Sequence, residues 1–130
     1  MNQDERILRE RQSLTEFLGR RNFSLDFVVN DLGRDIFDRL LAELATMEQH
    51  LQDASNAARS RNMKLAAQIM GAGAMVQKDN VYAVIMNAYG GPAEFIRRGM
   101  TGVPALLRDY VMSKYEGGVR IVELLLSVRS

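Results

Sequence analysis

Hydrophobic residues in the middle of the chain recur with the alternating four-three spacing of a heptad repeat. From Arg34 onward this spacing forms an a/d seam over three repeats, made of Phe37, Leu40, Leu44, Met47, Leu51, Ala54 and Ala58. Ile36 and Leu41 widen the seam beyond the narrow stripe of a two-stranded coiled coil. The pattern therefore predicts a long helix that packs into a bundle.

The predicted central helix covers residues 34–70, because no proline occurs between Arg34 and Lys78. A helix of about 40 residues would span about 60 Å at 1.5 Å per residue, which is too long for a single small domain. We therefore expect a break or a partner, with the break either between Ala58 and Asn62 or at Gly71.

Shorter elements are predicted before the central helix. Residues 1–20 form an amphipathic N-terminal helix, with an apolar stripe of Ile7, Leu14, Phe17 and Leu18. Ser24 is the expected N-cap of a short helix that ends at Gly33. The alternation of apolar residues leaves a strand as an alternative for residues 23–28.

Glycine and proline punctuate residues 80–130, which predicts several short helices. Residues 81–89 suit a strand or a helix capped by Asp79 or Asn80, and the all-helical company favours the helix. Two further helices are predicted to begin at Pro92 and Pro104, since proline is favoured at the first helical position. The second is expected to end near Tyr115, and residues 119–129 are open to helix or strand. The predicted fold is an all-α, single-domain bundle of five or six helices around one long central helix.

Composition narrows the class of protein. Hydrophobic residues make up 47% of the chain and charged residues 25%, as in folded soluble domains. There is no cysteine, which excludes disulfides and thiolate chemistry and is compatible with the cytoplasm. The polar N-terminus argues against a secretory signal, and no apolar run reaches the roughly 18 residues of a spanning helix. We therefore expect a cytoplasmic protein without membrane insertion.

The uncharged stretch LAAQIMGAGAMV, residues 65–76, raises the question of a nucleotide loop. Gly71 and Gly73 match the start of a dinucleotide fingerprint, but Val76 stands where the third glycine belongs and no strand precedes the stretch. Small residues at these spacings instead let a neighbouring helix approach closely. The stretch is therefore interpreted as a packing seam, with glycines that either kink the helix or hold it against a neighbour.

The chain offers no recognisable catalytic or metal-binding set. His50 is the only histidine, and Asp53 stands where the lysine of a phosphotransfer-domain motif would be. Glu43, Met47, His50 and Asp53 share a helix face, but a helical di-iron site needs Glu-x-x-His motifs on more than one helix. We predict no catalytic residue, no metal and no cofactor, and a protein that is not an enzyme.

The main functional hypothesis is protein binding. Methionine is frequent, with eight in the chain, and it is over-used on adaptable binding surfaces. The predicted function is that of a small adaptor, chaperone or assembly subunit of bacterial or phage origin, which binds a protein partner or itself. The predicted partner-binding residues are Leu44, Met47, Leu51, Ala54, Ala58, Met63, Met70, Gly71, Gly73 and Met75.

The alternative hypothesis is nucleic-acid binding through basic clusters. The residues concerned are Arg20, Arg21, Arg59, Arg61, Lys64, Arg97 and Arg98. The formal net charge of the chain is only +1, so these residues would have to converge in space to form a basic patch. Solvated faces paired with the acidic residues are the simpler interpretation.

Overall fold

The structure, a computed structural model, describes residues 1–98 and 101–127, apart from the side chain of Arg98. Within these ranges the chain is helical and contains no strand. The elements are α1 (Gln3–Gly19), α2 (Leu25–Leu32), α3 (Arg34–Arg59), α4 (Met63–Gln68), a π-helical segment (Ile69–Met75), α5 (Val76–Ala88), α6 (Pro92–Arg98) and α7 (Gly102–Ser127). Because α4, the π-helical segment and α5 are continuous, the described residues form six helical rods, and the predicted all-α bundle is confirmed.

Helix α3 is the centre of the bundle and packs against α1, α2, α4, the π-helical segment, α5 and α7. Its apolar seam forms much of the core, and Phe37 and Leu40 are fully buried. The α4–α5 rod runs antiparallel to α3, since Gly73 faces His50 while Gln77 reaches back to Glu43. The predicted long central helix is therefore confirmed as the element against which most of the other helices pack.

The predicted end of this helix at residue 70 is wrong, because α3 ends at Arg59. Arg61 adopts a left-handed conformation, and the backbone N–H of Asn62 donates to the carbonyl of Ala57 at 2.9 Å. This pattern is a Schellman-type helix end, which satisfies the last carbonyls of α3. The Asn62 side chain then caps α4 by accepting from the N–H of Leu65 at 3.1 Å. The chain thus reverses at the first of the two expected breaks.

The second expected break, at Gly71, is not an interruption. Residues 69–75 continue the rod as a π-helix, and Asp79 and Asn80 lie inside the continuing helix rather than capping a new one. A methyl group on Gly73 would lie 2.8 Å from Nδ1 of His50, whereas one on Gly71 would meet nothing within 4 Å. Gly73 therefore serves close packing against α3, and the two glycines have different roles.

The C-terminal part differs most from the prediction of short helices. Helix α7 is a single helix of 26 residues that begins at Gly102, two residues before Pro104, and passes through Gly117 and Gly118 without ending near Tyr115. A methyl group on Gly118 would lie 2.7 Å from Cδ2 of the buried Leu51. Glycine at 118 is thus explained by close helix packing and not by a helix end.

The segments that were open to helix or strand contain no strand where they are described, and residues 25–28, 81–88 and 119–127 are helical. Ser24 caps α2 as predicted, accepting from the N–H of Phe27 at 3.2 Å. Residues 81–88 belong to α5 and residues 119–127 to α7, while 128 and 129 lie outside the described residues. The predicted start of a helix at Pro92 is confirmed by α6. Helices α2, α5 and α7 each bury one face against the bundle, which favours the helix over the strand.

The two neighbouring glycines of α7 give a matched test of this packing. Gly117→Ala should raise the free energy of unfolding by roughly 0.5–1 kcal/mol, because the site is open and alanine is the better helix former. Gly118→Ala should instead lower the free energy of unfolding by about 1–3 kcal/mol, because Leu51 must leave its position in a packed core. Urea denaturation measures both. Equal stabilisation by the two substitutions would show that α3 and α7 are not in close contact here.

Candidate functional site

The first half of the predicted partner surface lies in the interior of the bundle. Leu44, Met47 and Ala54 are 0% exposed, Ala58 is 2% and Leu51 is 3%. Other helices of the same chain cover them, so their assignment to a surface open to a partner is corrected. A heptad pattern predicts that other helices pack on the seam. It does not tell whether those helices belong to the same chain or to another molecule.

The second half lies on the α4–α5 rod and is partly open. Met63 and Met75 are 61% and 48% exposed, Gly71 is exposed, and Met70 and Gly73 are half-buried. The solvent-facing side of this rod will be called the outer face. It consists of Lys64, Leu65, Ala67, Gln68, Gly71, Ala72, Met75, Val76 and Asp79, all of them exposed.

The outer face has two properties that matter for binding. It carries no charge between Lys64 and Asp79, and apart from Gln68 its residues there are apolar or small. Eight of its nine positions are also arranged symmetrically about the midpoint between Gly71 and Ala72, while Leu65 has no exposed counterpart. Ala67 then corresponds to Val76, Gln68 to Met75, and the positive end to the negative end. A surface with this symmetry is suited to an isologous contact, in which the same patch serves both copies.

A polar cluster that the sequence did not indicate lies between α1, α3 and α7. Glu10 is only 2% exposed, although it is a carboxylate on the core side of α1. Lys114 places its Nζ 2.9 and 3.0 Å from the two carboxylate oxygens of Glu10 and 3.5 Å from Oε2 of Glu48. The Tyr110 hydroxyl donates to Glu10 and lies 3.0 Å from Oγ of Ser13. Tyr110 and Lys114 of α7 therefore satisfy the buried charge of Glu10, and Lys114 also pairs with Glu48 of α3.

The environment of Tyr110 fixes its protonation state. Burial raises the pKa of its phenol well above the ordinary value, and the negative charge of Glu10 raises this pKa further. The phenol is therefore a hydrogen-bond donor near neutral pH and is not suited to act as a base. Its ring also packs edge-on against Phe17, with ring centroids 5.1 Å apart, so the hydroxyl is held in place.

A cavity of about 250 Å³ opens beside this cluster, between α1 and α3. Arg6, Arg9 and Ser13 line it from α1, and Glu48 and Gln49 line it from α3; the remaining lining residues are Met1, Glu10, Ala45, Gln52 and Lys114. Gln49 donates its Nε2 to Asp53 at 2.6 Å, which leaves its Oε1 buried without a hydrogen-bond partner in the described part of the chain. This oxygen has almost no accessible surface, so it is sealed from the cavity although the residue lines it.

The four side chains that were predicted to share one face of the central helix, those of Glu43, Met47, His50 and Asp53, have different contacts in the structure. Glu43 accepts from the buried Gln77, Asp53 accepts from Gln49, and His50 is half-buried against Gly73. Met47 lies in the core. Across the described ranges, no group of three or more His, Asp or Glu side chains could hold a metal ion.

The basic residues do not converge on one patch. Arg21 stacks 3.6 Å from the centroid of the Phe17 ring, beside Tyr110, whereas Arg59 and Arg61 line a cavity with Leu125. Tyr110 and Leu125 are separated along α7 by roughly 22 Å at 1.5 Å per residue. Of the remaining basic residues, Arg20 donates to the carbonyl of Glu16 and Arg97 pairs with Glu94 at 2.6 Å. Lys64 lies on the outer face, and the side chain of Arg98 lies outside the described residues. Nucleic-acid binding stays a prediction without a convergent surface to support it.

Comparison with known proteins gives no relative from which a function could be transferred. No protein-family model, curated protein or solved structure matches the chain. None of the described helices is both long and apolar enough to cross a membrane. The outer face, the polar cluster and the cavity are therefore the features of the described residues that bear on function.

Part of the polar cluster has a signal in the sequence that was overlooked. Glu10 falls between Ile7 and Leu14 with the spacing of the apolar stripe of α1, so a carboxylate there needs a buried partner. Tyr110 and Lys114 are four residues apart, which places them on the same side of one helix. Nothing in the sequence joins the two observations, because the contact between Tyr110 and Glu10 spans 100 residues.

Removing the hydroxyl of Tyr110 should change how stability depends on pH. The folded-state pKa of Tyr110 is raised, so its contribution to stability is complete below the unfolded value near 10 and is lost as the pH rises above it. Thermal unfolding between pH 8 and 11 should show a steeper loss of stability for the wild type than for Tyr110→Phe. Tyr115→Phe, on the same helix, is the control and should retain the wild-type slope.

Removing the ammonium group of Lys114 should be strongly destabilising. Lys114→Met keeps the aliphatic length but leaves the Glu10 carboxylate buried without its cation, and we expect a loss of about 3–5 kcal/mol in the free energy of unfolding. Denaturation in urea at pH 7 measures this loss. Arg120→Met, at an exposed position of the same helix, should change the stability little. Similar effects of the two substitutions would contradict the buried position of the ion pair.

Proposed function

We propose that the protein is a non-enzymatic interaction protein of the cytoplasm that acts as a homodimer, joined by its outer face. In this arrangement the α4–α5 rod of one copy packs antiparallel on the same rod of a second copy. The observation that carries the proposal is the nearly symmetric outer face, which is uncharged between Lys64 at one end and Asp79 at the other. An antiparallel contact places each positive end against the negative end of the other copy.

Apolar burial supplies the driving force in this proposal. Leu65, Met75 and Val76 are 42%, 48% and 51% exposed, and they lie on both sides of the centre of the outer face. Removing such side chains from water favours association in proportion to the apolar area buried. Gly71 and Ala72 lie at the centre, where their small size lets the two helix axes approach closely.

Other exposed apolar side chains are less suited to this role. Leu8 lies one helical turn from Asp4, Glu5 and Arg11, and Leu124 lies one turn from Arg120, so each has charged residues on its own side of the helix. Isolated apolar side chains of this kind are common on the surfaces of monomeric proteins. Among the described helices, the outer face offers the longest exposed side without a charge.

A charge introduced at the centre of the outer face should prevent the dimer from forming. Ala72→Glu places two carboxylates beside the two-fold axis, and we expect the dissociation constant to rise at least about a hundredfold. Analytical ultracentrifugation from 1 to 100 μM should show a wild-type dimer and a monomeric Ala72→Glu variant. Leu8→Glu, a similar change on α1, should leave the dimer intact. A wild type that remains monomeric at 100 μM would rule out the proposal.

Charge reversal tests the antiparallel orientation. Lys64→Asp and Asp79→Lys should each raise the dissociation constant of the dimer about tenfold, because each creates two like-charged contacts across the axis. The double variant restores opposite charges and should return to within a few-fold of the wild type. A double variant no better than either single variant would exclude the antiparallel arrangement, whatever the oligomeric state.

A further inference from the structure

We infer that Met75 is an oxidation switch, at which hydrogen peroxide converts the thioether to a sulfoxide and thereby weakens the dimer. The inference rests on the dimer proposed above and adds a means of regulating it. Met75 lies on the outer face, within the π-helical segment, and is 48% exposed. An oxidant can therefore reach its sulfur atom in the separate copies, whereas the dimer buries the same atom.

Met75 is the only methionine among the residues of the outer face. On the described helices, the other exposed methionine is Met63, which is 61% exposed. It precedes Lys64 and so lies beyond the charged end of the outer face. The remaining described methionines are the N-terminal Met1, the buried Met47 and the partly buried Met70, Met86 and Met112. Oxidation at the centre of the proposed contact therefore depends on one residue.

The sulfur chemistry of the chain is restricted to thioethers, because the sequence has no cysteine. In the reaction, a lone pair of the Met75 sulfur attacks one oxygen of hydrogen peroxide, so that an S–O bond forms and the O–O bond breaks. The departing hydroxide takes the proton from the new S–OH group and leaves as water. Sulfur is oxidised by two electrons and the peroxide is reduced by two. Methionine sulfoxide reductases reverse the change.

A sulfoxide at this position opposes the apolar contact of the outer face. Oxidation converts a flexible apolar side chain into a polar one. Burying the sulfoxide oxygen without a donor costs free energy, and the apolar burial that favours association is lost at the same time. Met75 lies three residues after Ala72, which is at the centre of the outer face. An antiparallel dimer therefore carries two such groups close to its two-fold axis.

The test treats the full-length protein with hydrogen peroxide at low protein concentration, where the copies are separate, and then measures the dissociation constant of the dimer by analytical ultracentrifugation. We expect oxidation to raise this constant at least about tenfold for the wild type. Tandem mass spectrometry of the tryptic peptide 65–78 distinguishes Met75 from the partly buried Met70, which lies in the same peptide. Treatment with methionine sulfoxide reductases should return the constant to its starting value.

Three variants assign the effect to one sulfur atom. Met75→Leu keeps an apolar side chain of similar volume, so it should dimerise like the wild type and keep its dissociation constant after peroxide treatment. Met63→Leu is the matched control, because it removes the more exposed thioether and its dimer should still weaken on oxidation. Met75→Gln places a polar amide at the same position and should raise the dissociation constant at least about tenfold without any oxidant.

The outcomes separate the switch from the dimer itself. An untreated wild type that remains monomeric would rule out both. A dimer that is unchanged although Met75 is oxidised would overturn the switch alone, because the sulfoxide would then have found a donor across the contact, such as the amide of Gln68, the position that corresponds to Met75. An equal loss in the oxidised wild type and oxidised Met75→Leu, or a loss that the reductases do not reverse, would also overturn the switch and leave the dimer standing.

Discussion

The apolar seam of α3 is the constraint on which the rest of the structure depends. A helix with large side chains along one half and alanines along the other must be covered by neighbours at different distances. The alanine half packs with Ala66 and Val122 in a cluster of its own. Between the halves, Gly118 and Gly73 supply the closest approaches, against Leu51 and His50. The positions of α7 and of the α4–α5 rod therefore follow from side-chain sizes on α3.

Much of the fold could be predicted from local rules. The heptad spacing, the Ser24 cap and the proline at the start of α6 each depend on residues close in sequence, and each appears in the structure. The errors came where tertiary packing overrides local preference. The helix from Pro104 was expected to end near Tyr115 because the glycines that follow disfavour helices, but contact with Leu51 requires glycine at 118 inside the helix. The end of α3 depended on Arg61 adopting a left-handed conformation, which glycine or asparagine would have signalled more clearly.

The candidate sites were harder to predict because they depend on which helices become neighbours. The seam residues were predicted to be partner contacts, but they are buried inside the bundle. The exposed side without a charge is instead on the α4–α5 rod. The polar cluster joins residues of α1, α3 and α7 that have no common motif. Buried ion pairs of this kind add little net stability compared with apolar packing, but they penalise arrangements in which one partner is left alone. Glu10 thus specifies which helix may lie beside α1.

The long separation in sequence within this cluster has a consequence for synthesis of the chain. Glu10 and Tyr110 are 100 residues apart, and α7 supplies both Tyr110 and Lys114. While the chain is being made from its N-terminus, α1 and α3 can meet early, but the Glu10 carboxylate has no cation and one flank of α3 is uncovered until α7 emerges. Incomplete chains therefore carry an exposed apolar flank next to an unpaired carboxylate, and exposed apolar surface of this kind makes partly folded chains prone to aggregation. Docking of α7 covers this flank and pairs Glu10 with Lys114 in one step.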